Sequence, residues 1–410
     1  TQFLPLNLWT YSSLDYRPTT TPLGALMPIV TPRTYIPILY TKRGELSALE
    51  DLASEINSRQ ISESEPSFTF DFTSEIIPLF AIQAIDWDFE IGEPKRTVDD
   101  HLAKITNALL KKWRGNEAFI DAINLGDDLM IDGRHPLHWV HETMQVQERT
   151  LTPVTSIDRS LTYQRAVQSI VTSGSELCVR LTQEHWTQAT QPTSNLFSLI
   201  ELVGATLERT HLIFDAGSLT GTNFGSILKI VLNNLTSPQD WASISVAGSS
   251  MPASMPSGDG LHQVDRPEWT QYKQLVAAQL PRTPSFSDYG IHSPQAATNL
   301  DPRFTSPSNN LRYLVDNYWY IAKAGQIKKE GSLPLVAMLQ LLATKPEYSP
   351  GYSACETWID QLVSSSSVNS AGNSEMWRRY GTVRHVKRST ELISTLHGTS
   401  ASPSPGLATP

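Results

Sequence analysis

A chain of 410 residues that is 40% apolar and only 18% charged can build a substantial core and carries too few charges for extended disorder. A net charge of −9 and a pI near 5.6 argue against a globally basic nucleic-acid binder and leave room only for a local basic face. Two distant cysteines, Cys178 and Cys355, make neither a disulfide framework nor a thiolate zinc site, no apolar run suits a membrane span, and TQFLPLNLWTYSS is not a signal peptide, so a cytoplasmic setting without membrane contact is expected.

Residues 1–34 are rich in Thr, Pro and Tyr and read as an irregular extension lying on the body. A repeating unit then begins: a short apolar run ending in a charged residue, followed by a helical pattern. The runs are YIPILY (35–40), EIIPLFAIQAID (75–86), EAFIDAINL (117–125), LTPVTSID (151–158), ELCVRLT (176–182), HLIFDAG (211–217), WASISVAGSS (241–250) and SFSDYGI (285–291). Between them, Leu46, Leu49, Leu52 and Ile56 repeat at helical spacing. Thr97-Val98-Asp99-Asp100 resembles a capping box, and further helices start near Thr162, Asn223 and Pro267. Eight strands separated by helices at roughly 30–40 residues per unit predict a (β/α)8, TIM-like barrel, with a doubly wound open sheet as the alternative. After the eighth strand the pattern changes. LRYLVDNYWYIAKAG (311–325) reads as an inserted hairpin turning at Asp316-Asn317, and LPLVAMLQLLA (333–343) as the last barrel helix. The expected division is a barrel over 35–350, a C-terminal helical appendage over 351–398 and a flexible tail over 399–410.

In a barrel the C-terminal strand ends converge on one face, so Lys42, Asp86, Asp121, Asp158, Arg180, Asp215 and Asp288 are candidates to line one bowl. Clustered carboxylates raise each other's pKa or recruit a divalent metal, and adjacent Lys and Arg suit a phosphate or carboxylate. The competing reading is an internal salt-bridge network, with Asp158 serving as a helix cap. His135, His138, His141 and Glu142 offer metal-ligand chemistry, but their spacing is not HExxH and does not gather three imidazoles on one helix face. The loop VAGSSMPASMPSG presents Ser249 and Ser250 after a strand as an anion nest or as a plain small-residue loop; it matches neither GxSxG nor a Walker loop. Arg266, Glu268, Trp269, Tyr289, Arg312 and Tyr313 suit a planar or phosphorylated ligand, or alternatively a core with internal pairing. The run from Trp377 to Arg388 is basic and aromatic, fitting nucleic acid, an acidic partner or a solvated helix face.

YIPILYTKRGELSAL, FIDA, VRLT, LIFDAG, AGSSMP, RPEW at 266–269, SFSDYG, LRYL and WRRYGTVRH, taken in order, resemble the beta protein family of phages and bacteria over residues 35–390. The chain has Phe286-Ser287-Asp288-Tyr289 where that family usually has Phe-Gly-Asp-Tyr. It has Ala322-Lys323-Ala324-Gly325 where a late Arg-Gly is usual, and Arg384-His385 in place of a His-His pair. The resemblance implies a mobile-element or phage–host setting and points to Lys42, Arg43, Glu45, Arg180, Asp215, Arg266, Glu268, Asp288 and Arg312. Two functional expectations follow. One is a hydrolase or lyase acting on a phosphate-containing small molecule or nucleic acid. In it Asp215, Asp288 and Glu268 are acid/base or metal-ligand groups, and Lys42, Arg43, Arg180, Ser249, Arg266, Tyr289 and Arg312 hold the ligand. The other is a non-catalytic ligand-sensing or protein-interaction module, with a protein partner or a second copy of the chain.

Overall fold

The computed structural model describes residues 30–62, 75–115, 117–187, 192–219, 223–295, 301 and 306–398. The extension expected over 1–34, except for its last residues, and the tail over 399–410 therefore lie outside the described residues. The strands, in chain order, are β1 (Tyr35–Tyr40), β2 (Leu79–Ala81), β3 (Trp87–Asp88), β4 (Glu93–Pro94), β5 (Glu117–Asp121), β6 (Thr150–Thr155) and β7 (Leu177–Thr182). They continue with β8 (Thr210–Ser218), β9 (Ser243–Ser249), β10 (Gly260–Asp265), β11 (Ser285–Asp288), β12 (Ser308–Leu314) and β13 (Tyr318–Gln326). Eight of them close an all-parallel barrel in the order β1-β2-β5-β6-β7-β8-β9-β11 and back to β1, with helices around it: the expected (β/α)8 barrel.

Strand periodicity sorts the side chains into two shells. Ile36, Ile38, Leu79, Ala81, Phe119, Val154, Cys178, Ile213, Ala247 and Tyr289 fill the interior. Their neighbours Tyr35, Leu39, Phe80, Ile120, Val179, Leu212, Val246 and Phe286 face outward and pack with the helices. The helix caps follow local chemistry: Thr97 accepts from the Asp100 amide, and Asn223 from that of Ser226. Asp158 does not cap the next helix, Leu161–Thr172. Ser160 does, because it stands immediately before the helix, whereas Asp158 lies two residues further out and exposed.

The hairpin expected at 311–325 is present as β12 and β13, joined through Asp316 and Asn317, and β10 pairs with β13 to make a separate three-stranded sheet. The helix Pro334–Ala343 is not the last barrel helix. Its apolar face packs on this sheet and on the helix Ala354–Ser364, in a core separate from the barrel's. The last barrel position belongs to Ser374–Gly398, which packs along the first helix, Arg43–Ser62, and reaches Tyr272 of the helix Pro267–Ala277 through His397 (2.9 Å). Two glycines permit its close approach. A Cβ on Gly44 would lie 2.6 Å from the Glu375 carbonyl oxygen, and one on Gly381 would lie 3.0 Å from that of Arg312. Among the described residues no helix is long and apolar enough to cross a membrane.

Candidate functional site

Five of the seven charged residues expected to share one bowl fall into three groups, because consecutive strand residues point to opposite faces; Asp158 lines the mouth cavity beside His185, and Asp86 is exposed near Arg96. At the floor of the barrel mouth, Arg180 on β7 continues the inward row of Cys178. It donates to Asp215 on β8 from Nε (2.9 Å) and Nη2 (2.7 Å), to Asp121 on β5 (2.9 Å) and to the Tyr289 hydroxyl (2.6 Å). Tyr289 in turn donates to Asp215 at 2.6 Å, and Arg159 joins Asp121 at 3.1 Å and Asp127 at 2.9 Å. Burial alone would lower the guanidinium pKa of Arg180. Tyr289, Asp215 and Asp121 more than reverse this, so the cation is locked in. Beyond Asp215 the chain turns through Gly217 at φ +63°, whose amide donates to Asp215 Oδ1 at 2.8 Å. Over this floor lies a cavity of about 680 Å³, lined in part by Tyr40, Ile123, Asn124, Thr182, Gln183 and Ser218.

Asp288, assigned to the same bowl from sequence, is on the other face of β11, between barrel and helices. It accepts from the Tyr35 hydroxyl (2.6 Å) and from Arg266 (3.0 Å), and it contacts His385 of the Ser374–Gly398 helix at 3.0 Å. Arg266 also donates to Ser389 (2.9 Å) and lies 3.5 Å from Glu268, which accepts from Ser250 at 3.0 Å. Burial opposes ionisation of Asp288, yet His385, Arg266 and the Tyr35 hydroxyl hold its carboxyl down at about 2. Burial also keeps His385, stacked on Trp319, below the usual histidine range. Arg266 brings a permanent positive charge to Asp288 beside this ring. Glu268 goes the other way: burial, helped by Asp288 and only partly offset by Arg266, pushes it up to about 7. These side chains are buried, and none of them lines the mouth cavity.

The third group sits at the rim where β1 ends. Lys42, Arg312 on β12 and Arg378 on the Ser374–Gly398 helix lie close enough to raise the cost of each other's charge. The fully buried Glu45 beside them pairs with His292, whose pKa burial lowers to about 4. Lys42 Nζ lies 5.5 Å over the Tyr40 ring, and His292 meets the same ring edge-on at 5.3 Å, so Tyr40 separates this rim from the mouth cavity. Arg43, two residues from Glu45, points outward and pairs with Glu375.

The structure thus brings together Arg180, Asp215 and Tyr289 in one place, Arg266, Glu268 and Asp288 in a second, and Lys42 with Arg312 in a third. Ser249 joins none of them: its hydroxyl donates to the His292 carbonyl at 2.9 Å and accepts from the Met251 amide at 3.2 Å, closing its own loop. His135 accepts from the Leu137 amide as a helix cap, His138 faces Glu142 at 3.6 Å, and His141 is buried with its pKa lowered to about 4 by that burial. Among the described residues no group of three or more His, Cys, Asp or Glu is placed to hold a metal ion. Sequence reasoning passed over Tyr40, Arg159 and His292, and it placed Arg378 only in the basic-aromatic run, apart from the barrel mouth. Tyr40 was within reach, because it continues the inward row of Ile36 and Ile38 to the mouth.

Fold and mouth define a (β/α)8 barrel with a neutralised ionic floor under an open cavity, an inserted three-stranded sheet and a cationic rim. The chain belongs to the Beta protein family, whose family model matches residues 67–391. No curated protein matches it.

Proposed function

We propose that this protein is a non-catalytic, ligand-binding barrel that takes a small polar molecule into its mouth and works by sensing it. The observation that carries the reading is the pairing of the floor carboxylates, Asp215 and Asp121, beneath a cavity of about 680 Å³. Small-molecule sites are concave, partly apolar and furnished with a few fixed polar groups, and this cavity has those properties. A general base needs a lone pair turned toward its substrate. Asp215 gives its lone pairs to Arg180, Tyr289 and the Gly217 amide, and Asp121 to Arg180, Arg159 and the Ile123 amide. Asp288 and Glu268, the other candidates for acid/base work, are enclosed on the outer face of the barrel. The three carboxylates named for acid/base work are therefore held by the fold, which favours the sensing module; Asp158, beside His185 at 3.5 Å, and the exposed Glu184 also line the cavity. The motif resemblance to phage and bacterial sequences suggests phage–host conflict as its setting.

The test is a thermal-shift and calorimetric panel of nucleotides, sugar phosphates and dicarboxylates on the full chain, with product analysis on each binder. Ile123→Trp, at a partly exposed cavity wall, should abolish binding without unfolding the protein. A phage-challenge assay comparing wild type with Ile123→Trp links the cavity to the setting. Turnover of a bound compound, abolished by Asp215→Asn, would overturn the non-catalytic reading. Binding unaffected by Ile123→Trp would overturn the location.

A further inference from the structure

At the rim, among the described residues, three cations, Lys42, Arg312 and Arg378, gather close to one another. Lys42 feels the buried Glu45 and, more weakly, Asp86, and Glu45 is in contact with His292. Among the described residues, the Nε atoms of Arg312 and Arg378 are shielded from solvent and have no hydrogen-bond partner, and Arg312 Nη2 contacts the Met255 thioether at 3.7 Å. Burial, compounded by Arg378, pulls Arg312 down to about 10, and burial with the same neighbour also lowers Lys42. A desolvated cation without a partner destabilises a fold, and like charges gathered together add to that cost. Yet two close helix approaches, at Gly44 beside Arg378 and at Gly381 beside the Arg312 backbone, assemble this arrangement. The N-terminus of the 20-residue helix Arg43–Ser62 starts at the same point and adds its own positive end.

We propose that Lys42, Arg312 and Arg378 form a binding site for a phosphoryl group, supplied either by free inorganic phosphate or by the phosphate of a small ester whose body lies across Tyr40 in the mouth cavity. Two guanidinium forks and one ammonium match the oxygens of a phosphate dianion, and the ligand would add counter-charge at the rim. The three cations come from the barrel, the inserted sheet and the last helix, so the site exists only in the fully assembled fold. The inference extends the ligand-binding reading by naming a group its ligand carries.

The experiment is calorimetry on the full chain with inorganic phosphate, adenosine 5′-monophosphate and adenosine as probes. It compares wild type with Lys42→Met, Arg312→Met, Arg378→Met and the exposed-lysine control Lys229→Met. Phosphate and the monophosphate should bind wild type and the control, and each rim variant should weaken them at least tenfold, while adenosine alone should not bind. The monophosphate binding more tightly than phosphate identifies an ester as the source, and equal affinities identify the free ion; both support the site. Thermal melting guards against a folding artefact. Arg312→Met keeps the side-chain stem and removes an unpaired charge, so without ligand it should melt at or above the wild-type temperature and lose the phosphate-induced rise. No binding of either phosphate by wild type, or equal binding by all rim variants, overturns the proposal. If another compound then binds and is lost in Ile123→Trp, the cavity reading stands and only the phosphoryl site falls.

Discussion

Arg180→Met tests whether the mouth floor is a structural network. The guanidinium makes four hydrogen bonds of 2.6–2.9 Å and is 6% exposed. Methionine matches its stem but leaves Asp215, itself 2% exposed, with the Tyr289 hydroxyl and the Gly217 amide as its remaining partners. Asp121 keeps Arg159 at 3.1 Å. The damage is therefore mainly one buried, uncompensated carboxylate, and breaking such a pair costs about 3–5 kcal/mol. With a urea m-value of about 3 kcal/mol/M for a chain of this size, the unfolding midpoint should fall by about 1 to 1.7 M.

A second substitution separates the lost ion pair from a simple packing defect. Asp215→Asn in the same chain removes the uncompensated charge and should recover much of the loss. A loss under about 1 kcal/mol, or one that Asp215→Asn leaves unchanged, refutes the argument that Arg180 holds the floor together.

Asp288, held at about 2, contributes stability that is present above its unfolded pKa near 4 and lost as pH falls from about 4 through 2. Acid unfolding of wild type should show a loss of about 2 kcal/mol over that window that Asp288→Asn lacks. Glu268, raised to about 7, has the opposite sign: wild-type stability should decline from about pH 4.5 to 7, and Glu268→Gln should be more stable at pH 8 by about 3 kcal/mol in chemical denaturation. Gly44→Ala places a Cβ 2.6 Å from the Glu375 carbonyl, so it should cost about 1–3 kcal/mol in the same assay and weaken phosphate binding by displacing Arg378.

The barrel was readable in the sequence because its strands are short apolar runs and its helices amphipathic stretches with recognisable caps. The last helix was harder to place. Ser374–Gly398 looks polar because it buries charge in pairs: Arg384 with Glu356 (3.0 Å), Lys387 with Glu55 (3.1 Å) and His385 with Asp288. The apolar 333–343 stretch imitated a barrel helix because it covers the inserted sheet. Asp288 and Tyr289 show the limit at the site itself. They are adjacent in sequence and both stood out as candidates, but a strand turns them to opposite faces, so one is in the mouth floor and the other behind the wall. Lys42 and Arg312 are 270 positions apart, and only the path of the inserted sheet brings them together.

One sequence signal, a charged residue where a strand ends, therefore has three different meanings in this fold, and the partners of each group decide which. Where Arg180 meets two carboxylates inside the barrel, the charges neutralise one another and the result is a rigid floor. Where Asp288 meets Arg266 and His385 outside it, the charges attach the last helix to the wall. A group acts on a ligand only if the protein has left part of its bonding capacity unused. Of the three sets, the first two are largely consumed by the fold, whereas the rim cations Lys42, Arg312 and Arg378 are not. That difference is why the proposed binding role rests on the mouth and its rim, and why the best acid/base candidates in the sequence belong instead to the architecture.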